Sequence, residues 1–368
     1  MLKPNYNNSI MSITNSLLRH YGAKPHHLTL TTADDLLAKK YKNVVFLVLD
    51  GMGMNVLESS LSPDAFLRKH IKAEISSVFP PTTTAATTSI LTGKTPAEHG
   101  WLGWSCYFKE VDKCIDLFSN HESGTNIPAS EEHQPFKHMS FDNILTTLGD
   151  RVRTCAVSNL PFTKKYFADT MEGICGHIRN LCDEDGEKFI YAYYFQPDRD
   201  LHGFGIGSER VVETMLDCDT QLGRLMSEVS DTLLLITADH GMINSTAKCV
   251  EDYPQINDAL VRHICVEPRC CSMYVKDEYI SMFPKLFRES FGDKFLLLTH
   301  DEFLESGLLG DGVKHPRVQD FIGDYVAIAV SDTALWYRDV NGGHYDFRAF
   351  HAGLTKEELA VPFIVVEK

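Results

Sequence analysis

The sequence lacks the features that mark several large classes of protein. Its 368 residues contain no apolar run that approaches the roughly 20 residues required by a membrane-spanning helix. The N-terminal stretch MLKPNYNNSIMSITNSLLRHYG has no uninterrupted apolar core and no small-residue cleavage site, so it does not resemble a secretory signal. Internal repeats and low-complexity tracts are absent as well. We therefore expect a globular cytoplasmic protein that makes no contact with a membrane.

Positive charge is also scarce. The chain has 35 Lys and Arg against 50 Asp and Glu, which gives a formal net charge of −15. Nucleic-acid affinity comes mainly from Lys and Arg that neutralise phosphates, so this balance argues against a nucleic-acid polymer as the partner. A small anion could still bind through a metal ion. The expected partner is a small molecule, and the sequence leaves the oligomeric state open.

The cysteines show no metal-binding or redox signature. There are ten, with no CxxC pair and no repeated spacing. In a chain of this length, with 43% hydrophobic residues, scattered cysteines are typical of buried thiols in a reduced protein. We expect buried, reduced thiols throughout.

Short apolar runs between amphipathic stretches predict a layered α/β fold. Their β-branched and aromatic residues are typical of buried parallel strands. The predicted strands are Val44–Leu49, Cys155–Val157, Phe189–Phe195, Leu233–Thr237 and Pro362–Val366. A long crossover helix is predicted between the third and fourth from one apolar face, formed by Val211, Val212, Met215, Leu216, Leu222, Leu225, Met226 and Val229. The pattern indicates a mostly parallel central sheet with helices on both faces.

The texture of the chain changes from about Asn244 to Val340, where charged loops dominate. We interpret this part as a small inserted α+β cap. Its predicted elements are a strand at Cys271–Val275, a helix at Ile280–Ser290 and a strand at Asp324–Ala329. The predicted domains are an N-terminal segment packed on the core (1–41), a catalytic core (42–244 and 341–368) and the cap (245–340).

Several predicted strands end in residue types that bind metals. Asp50 follows the first strand, Asp198 and then His202 follow the Phe189 strand, and Asp239 with His240 follows the Leu233 strand. Each of these residues alone could be a turn residue or an exposed helix pair. Ligands of open α/β sheets bind beyond the carboxyl ends of the strands, however, so together these side chains predict one metal site.

A run of small and hydroxyl residues, PPTTTAATTSILT, follows a probable strand at Ile75–Phe79. One interpretation is a Thr-rich helix cap. The functional interpretation adds that a hydroxyl at a helix N-terminus would meet a phosphate held by backbone N–H groups. A free threonine hydroxyl is a poor nucleophile, and metal coordination would activate it.

Five ordered blocks resemble the alkaline phosphatase superfamily, in its nucleotide pyrophosphatase/phosphodiesterase-like branch. The blocks are VVFLVLDGMG, SVFPPTTTAATTSILTGKTPAEHG, YFQPDRDLHGFG, LLLITADHGM and FHAGLTKEELAVPFIVVE. The resemblance extends through most of the predicted core. It implies the alkaline phosphatase-like fold and a phosphoric ester hydrolase, most readily a phosphodiesterase.

The resemblance also implies a site with two divalent metal ions. The first would be bound by Asp198, His202 and His351, and the second by Asp50, Asp239, His240 and the nucleophile. In the family the nucleophile lies nine residues before the threonine of a Thr-Gly pair, here Thr92, which selects Thr83 and leaves Thr82, Thr84 and Thr87 as alternatives. Zinc is the expected metal and manganese fits the same ligand types. A phosphothreonine intermediate is the implied mechanism.

One position departs from the branch. An asparagine that donates to a phosphate oxygen is expected four residues after Gly100, but Trp104 stands there. Ser105 is a possible substitute. Arg199 and Arg348 flank the metal blocks and could meet anionic oxygens or form surface ion pairs.

Other activities share parts of this pattern. A phosphomonoesterase or a phosphonate hydrolase acting on a compound such as phosphonoacetate is the main alternative. A sulfatase would need a Cys or Ser in a C/S-x-P-x-R context, which this block lacks. A phosphosugar mutase would need a larger cap, and a binding protein without turnover would be expected to lose the ligands first. In the cap, His315, Arg317 and Tyr325 are candidates for substrate contact or solvated surface groups.

Overall fold

The computed structural model describes residues 2–158, 165–338 and 346–368. The strands are β1 Asn43–Leu49, β2 Ile71–Ser76, β3 Ser105–Phe108, β4 Lys113–Asp116, β5 Arg153–Ser158, β6 Lys188–Tyr194, β7 Thr232–Thr237, β8 Ile243–Asn244, β9 Thr246–Cys249, β10 Cys265–Glu267, β11 Cys270–Met273, β12 Phe295–Thr299, β13 Tyr325–Ala329, β14 Thr333–Trp336, β15 Ala349–Phe350 and β16 Ala360–Glu367.

The α-helices vary widely in length. They are α1 Ile10–His20, α2 Thr31–Leu37, α3 Met54–Ser60, α4 Phe66–Lys69, α5 Thr83–Thr92, α6 Pro96–His99, α7 Gln134–His138, α8 Ile144–Leu148, α9 Met171–Asp183, α10 Asp198–Phe204, α11 Glu209–Glu228, α12 Pro254–Asn257, α13 Phe283–Phe291, α14 His300–Glu305, α15 Arg317–Phe321 and α16 Lys356–Leu359. In the part of the chain that the structure describes, no helix has the length and apolarity to cross a bilayer.

The central sheet has the strand order β2-β16-β7-β1-β6-β5. Strands β5, β6, β1 and β7 are parallel, and every residue of β1, β6 and β7 is buried. Burial on both faces explains why these strands are continuous apolar runs in the sequence. The predicted mostly parallel sheet, with helices packed on it, is confirmed.

One strand of the central sheet runs opposite to its predicted direction. The segment Pro362–Val366 lies in β16, which pairs antiparallel with both β2 and β7. A parallel connection needs a crossover of a dozen or more residues. The four-residue helix α16 immediately precedes β16 and lies at the carboxyl end of β7, where Gly241 N–H donates to Glu358 O at 2.9 Å. Strand β16 therefore starts at that end of the sheet and runs antiparallel to β7.

The predicted crossover helix is α11, which begins after the N-cap Ser208. Ser208 Oγ accepts a hydrogen bond from Val211 N. Of the predicted apolar face, Val212 is only partly buried and Leu216 is 50% exposed. The buried residues of α11 are Val211, Met215, Cys218, Leu222, Leu225 and Met226. The apolar stripe is therefore narrower than the sequence pattern indicated.

A second sheet has the order β12-β13-β11-β10-β3-β4 and antiparallel pairings. Strands β10 to β13 belong to the predicted cap, whereas β3 and β4 come from the segment assigned to the core. The domain division stays a prediction, and residues 341–345 of its returning segment lie outside the described residues. Helix α13 begins at Phe283, three residues later than predicted, with Pro284 in its first turn.

The expectation of reduced thiols throughout is wrong for two cysteines. Cys114 on β4 and Cys265 on β10 form a disulfide across 151 positions of sequence, while the other eight cysteines are free and buried. The two cysteines lie on strands that both pair with β3, on its opposite edges. Scattered cysteine spacing could not reveal this pairing.

Candidate metal centre

Three aspartates lie at the carboxyl ends of three adjacent parallel strands. Asp50 follows β1, and β1 pairs with β6 on one side and β7 on the other. Asp198 N–H donates to Asp50 O at 2.9 Å, and Gly51 N–H donates to Asp239 Oδ1 at 3.1 Å. The chain ends of β1, β6 and β7 are thus tied together by hydrogen bonds, and the three carboxyl groups share one crevice.

Glycines allow these turns to pack closely. A Cβ on Gly241 would lie 2.0 Å from Glu357 O, and a Cβ on Gly53 would lie 2.5 Å from Gly241 Cα. Gly51 has a φ of +73° and faces Asp198. The turns after Asp50 and Asp239 therefore require glycine at Gly51, Gly53 and Gly241 for steric reasons.

Three histidines complete the cluster. His240 follows Asp239 directly, while His202 lies on α10, one turn after Asp198. His351 follows β15, which pairs with β8 just beyond His240, and the His240 and His351 rings stack with centroids 4.0 Å apart. His202 Nδ1 lies 2.9 Å from Ala349 O, an arrangement that fixes the ring and leaves Nε2 facing the carboxylates.

The potential ligand atoms form two overlapping groups. Asp198, His202 and His351 make one group, and Asp50, Asp198 and His240 make the other, with the donor atoms of each within 4.8 Å of one another. Asp198 is common to both groups, whereas the resemblance assigned it to one metal. Asp239 is in neither group, and its Oδ1 accepts from Gly51 N–H and His240 N–H.

Two buried carboxylate oxygens of the cluster lack hydrogen-bond partners among the described residues. Asp198 Oδ1 and Asp239 Oδ2 are buried and have none among the described residues, and neither has His351 Nδ1. Buried polar atoms are almost always hydrogen-bonded, so orphaned carboxylate oxygens need another source of positive charge. The donor set of Asp oxygens and His nitrogens fits divalent metal ions.

The electrostatics point the same way. Burial and the nearby Asp239 carboxylate raise the pKa of Asp50 and that of Asp198 well above the usual range. Burial lowers the pKa of His202 to about 4. Without a cation the site therefore favours neutral groups, and a bound divalent ion would reverse the carboxylate shifts. Tyr193 O–H donates a hydrogen bond to Asp50 Oδ2.

Thr83 lies at the edge of this cluster. It is the first residue of α5, and its Oγ1 is 3.3 Å from His240 Nε2 and 3.5 Å from Asp50 Oδ1. Thr83 is partly exposed, whereas the alternatives Thr82, Thr84 and Thr87 are buried. Thr82 Oγ1 donates to Glu267 Oε1, and Thr87 Oγ1 donates to Thr83 O. Among the four candidates, the geometry favours Thr83.

The two arginines predicted as substrate contacts, Arg199 and Arg348, are exposed and contact other residues. Arg199 is exposed and lies over the Phe195 ring at 5.7 Å. Arg348 is exposed and pairs with Asp346 at 3.1 Å. Both positions match the surface alternative considered for them.

The other predicted substrate contacts also have structural partners. Ser105 is buried in β3. The Trp104 side chain is 47% exposed, and the backbone N–H of Trp104 donates to Glu267 Oε1. In the cap, Arg317 pairs with Glu110 and Asp320, His315 Nδ1 accepts from Arg317 N, and Tyr325 O–H donates to Ile280 O.

A cavity of about 480 Å³ opens beside Thr83 and was not predicted. It lies between α5, α8 and the edge of the central sheet, with Lys165 and Tyr166 on its wall. Its further lining residues are Thr87, Leu91, Phe118, Asn143, Leu145, Arg153, Thr154, Cys155, Ala156, Ser158, Tyr191 and Tyr193. The alternation of tyrosines in β6 is the one sequence signal that could have indicated inward-facing Tyr191 and Tyr193.

Solved structures with a similar fold include nucleotide pyrophosphatase/phosphodiesterases and a phosphonoacetate hydrolase. The inactive variant of murine ectonucleotide pyrophosphatase/phosphodiesterase 5, solved in complex with AMP, has a TM-score of 0.66 at 13% identity, covering 89% of this chain and 88% of that chain. The human protein of that name gives 0.66 at 14% identity, covering 89% and 88%. Phosphonoacetate hydrolase from Sinorhizobium meliloti 1021, in complex with phosphonoacetate, gives 0.64 at 18% identity, covering 89% and 90%.

A family match in the sequence, together with the fold, identifies a phosphoric ester hydrolase of the alkaline phosphatase superfamily. A sequence profile described as type I phosphodiesterase/nucleotide pyrophosphatase matches residues 44–285. That span is well over half of the chain, so the protein belongs to the type I phosphodiesterase/nucleotide pyrophosphatase family. No functionally curated protein matches the sequence.

Proposed function

We propose that the protein is a two-metal phosphodiesterase in which Thr83 is the nucleophile. The observation that carries the proposal is the position of Thr83 Oγ1, 3.3 Å from His240 Nε2 and 3.5 Å from Asp50 Oδ1, beside carboxylate oxygens that lack partners. The Thr83 hydroxyl loses its proton as its oxygen bonds to phosphorus, the ester P–O bond breaks, and the leaving oxygen takes up a proton to give an alcohol. Water then cleaves the phosphothreonine P–O bond, so that its OH goes to phosphorus and its remaining proton returns to the Thr83 oxygen.

The residues that would hold the metals follow from the cluster and from the family resemblance. They are Asp198, His202 and His351 for one ion, and Asp50, Asp239, His240 and Thr83 for the other. Bound divalent ions supply the positive charge that lowers the pKa of a hydroxyl and stabilises charge on phosphoryl oxygens. Zinc is the proposed metal because Asp oxygens and His nitrogens suit it, and manganese is the alternative.

The chain contributes more than ligands. Tyr193 holds Asp50 through a hydrogen bond to its Oδ2, and the Ala349 carbonyl orients His202. The N-terminal N–H groups of α5 lie next to the attacking oxygen, where they favour an anionic group. The cavity beside Thr83 is large enough for the organic part of a small phosphate ester.

A phosphomonoester or a phosphonate is the second candidate substrate. Trp104 stands where the phosphodiesterase branch has an asparagine, and the fold is similar to a phosphonoacetate hydrolase. An indole N–H can donate only one hydrogen bond, so the recognition of a phosphoryl oxygen must differ from that branch. Phosphonoacetate cleavage would release acetate and phosphate.

A cytoplasmic location is part of the proposal and is separately testable. Eight buried free cysteines support a reducing compartment, whereas the Cys114–Cys265 disulfide is typical of an oxidising one. Thiol titration of the protein, purified under nitrogen without reductant and then denatured, decides between them. Ten titratable thiols support the cytoplasm, and eight argue against it.

The central experiment is a paired rate assay on zinc-loaded wild type and Thr83→Ala. The substrates are bis-nitrophenyl phosphate, the nitrophenyl ester of thymidine monophosphate, nitrophenyl phosphate and phosphonoacetate. We expect diester preference in the wild type and a loss of about 1,000-fold or more in Thr83→Ala with metal content kept. Thr92→Ala is the matched control, because Thr92 Oγ1 lies at the other end of α5 and donates to Thr88 O.

Each other outcome changes a specific part of the proposal. Retained activity in Thr83→Ala would move the attack to another hydroxyl or to water. Monoester or phosphonate preference in the wild type would replace the diesterase assignment by the second candidate.

A further inference from the structure

A buried carboxylate from the second sheet reaches the start of the nucleophile helix. Glu267 is the last residue of β10 and is 7% exposed. Its Oε1 accepts a hydrogen bond from Thr82 Oγ1 at 2.5 Å and another from Trp104 N–H at 2.7 Å. Thr82 is the N-cap of α5 and immediately precedes Thr83. One oxygen atom thus connects the second sheet, the nucleophile helix and the 101–104 loop.

The strand register explains how Glu267 arrives at this position. Val266 pairs antiparallel with Ser105, so Glu267 lies opposite Trp104. Val266 has a φ of +77°, which is unusual for a β-branched residue. Backbone strain of this kind persists where the surroundings over-determine the conformation, often at functional sites.

The 101–104 loop is shaped to accept this conformation. A Cβ on Gly103 would lie 2.6 Å from both Val266 Cγ1 and Val266 O, so only glycine fits there without a shift. The close approach of Gly103 to Val266 brings the next residue, Trp104, within hydrogen-bonding distance of Glu267. Strain at Val266 and a required glycine at Gly103 therefore both serve the placement of one carboxylate.

We propose that Glu267 is a positioning residue that fixes the start of α5, and with it Thr83 Oγ1, relative to the metal-binding cluster. The inference rests on the proposed function of Thr83. Displacing an attacking atom by about 1 Å can lower the rate about 100-fold. A hydrogen bond that fixes the residue next to Thr83 can therefore change kcat strongly. Glu267 would act through Thr82 and the Trp104 backbone, without contact with the reacting atoms.

Three variants separate positioning from packing. Glu267→Gln keeps an acceptor oxygen, Glu267→Ala removes it, and Thr82→Val removes the donor while keeping the side-chain shape. We expect kcat within about threefold of wild type for Glu267→Gln and a decrease of about 30-fold for Glu267→Ala, with KM changed less than about threefold. Thr82→Val should lower kcat about tenfold.

A double variant tests whether the two residues act as a unit. If Glu267 acts on Thr83 through Thr82, the kcat of the double variant Thr82→Val with Glu267→Ala should lie within about twofold of the kcat of Glu267→Ala alone. Multiplied losses would overturn the inference, as would a Glu267→Ala variant with the kcat of the wild type. A Glu267→Gln variant as slow as Glu267→Ala would also overturn it, because the acceptor would then be irrelevant.

Orthovanadate binding supplies a readout that does not depend on turnover. Vanadate adopts the five-coordinate geometry of phosphoryl transfer, so its binding by zinc-loaded protein reports the placement of the Thr83 oxygen. We expect about tenfold weaker vanadate binding in Glu267→Ala, with zinc content equal to that of the wild type. Unchanged vanadate binding would contradict the inference.

Asp219→Ala is the control for general destabilisation. Asp219 accepts hydrogen bonds from Phe66 N–H and Leu67 N–H at the start of α4 and belongs neither to the cluster nor to the cavity. It should lower the unfolding temperature with kcat unchanged. A wild type without Thr83-dependent hydrolysis overturns the proposed function and this inference together, whereas an active wild type with a fully active Glu267→Ala overturns this inference alone.

Discussion

Two of the groups of buried charged residues in this protein differ in how completely their polar atoms are hydrogen-bonded. One is the Asp and His cluster at the ends of β1, β6 and β7. The other is the ion pair between Arg269, in the turn between β10 and β11, and Glu358 on α16, both fully buried. The comparison distinguishes buried charged residues that bind a ligand from buried charged residues that stabilise the fold.

Every carboxylate oxygen of Glu358 has protein donors. Oε1 accepts from Arg269 Nε at 2.6 Å and from Gly353 N–H at 2.7 Å, and Oε2 accepts from Arg269 Nη2 and from Thr355. Arg269 Nη1 donates to Thr333 O at 2.9 Å. The pair links the second sheet to the helix that precedes β16, and its complete hydrogen bonding offsets the cost of desolvation.

The strand-end cluster has the opposite property. Asp198 Oδ1 and Asp239 Oδ2 lack hydrogen-bond donors among the described residues, and burial together with the Asp239 carboxylate raises the pKa of Asp50 and of Asp198. Such an arrangement destabilises the metal-free fold and persists where it serves function. Buried carboxylate oxygens without hydrogen-bond donors therefore indicate a ligand site, whereas buried carboxylates with complete hydrogen bonding indicate a structural role.

The largest expected effect is on chemistry, from Asp198→Asn. Asp198 belongs to both groups of potential ligands, so this substitution should lower zinc content and reduce kcat/KM about 1,000-fold. In the metal-free protein it removes a buried like charge, so the unfolding temperature should stay the same or rise. Zinc analysis, rate assays and thermal unfolding with a chelator measure these effects. A metal-free variant clearly less stable than the metal-free wild type would break the comparison.

The next effect is on stability, from Arg269→Met. This substitution leaves Glu358 buried without its cation and should lower the free energy of unfolding by about 3–5 kcal/mol. Chemical denaturation measures the loss. Per folded molecule, kcat at low temperature should change far less than in Asp198→Asn, because Arg269 is no metal ligand. A substitution of both partners, Arg269→Met with Glu358→Leu, should recover part of the stability.

The smallest expected effect is a pH dependence from a satisfied histidine. His99 is buried, with Nε2 2.9 Å from Ser89 Oγ and Nδ1 accepting from Trp101 N–H at 3.1 Å, and burial lowers its pKa to about 3. The unfolded chain takes up this proton near pH 6.5, before the folded protein does. The neutral form therefore stabilises the fold above pH 6.5, and this contribution falls as the pH drops towards 3.

The measurement is the free energy of unfolding of wild type and of His99→Gln, which cannot ionise, at pH 7 and pH 5. Between these values the wild type should lose about 2 kcal/mol more than the variant. Other buried histidines are common to both proteins and cancel in the difference. Parallel pH profiles would show that folding leaves the pKa of His99 unchanged, and would contradict this prediction.

Much of the central sheet could be predicted from the sequence. The runs before Asp50, Asp198 and Asp239 are apolar because both faces of β1, β6 and β7 are buried, and a buried parallel strand leaves that pattern. The direction of β16 could not be predicted, because an apolar run is the same in either direction. The second sheet was assigned only in part, since β3 and β4 are four-residue strands far in sequence from β10.

The sequence by itself determined which residue types stand at the strand ends, and the topology of a parallel sheet then requires them to meet at one edge. Only the tertiary structure decided which threonine faces the cluster, that Asp198 belongs to both groups, that Cys114 meets Cys265 and that Glu267 holds Thr82. These are contacts between segments separated by up to 185 positions. They depend on register and side-chain direction across two sheets, and the local periodicity of a sequence carries no record of either.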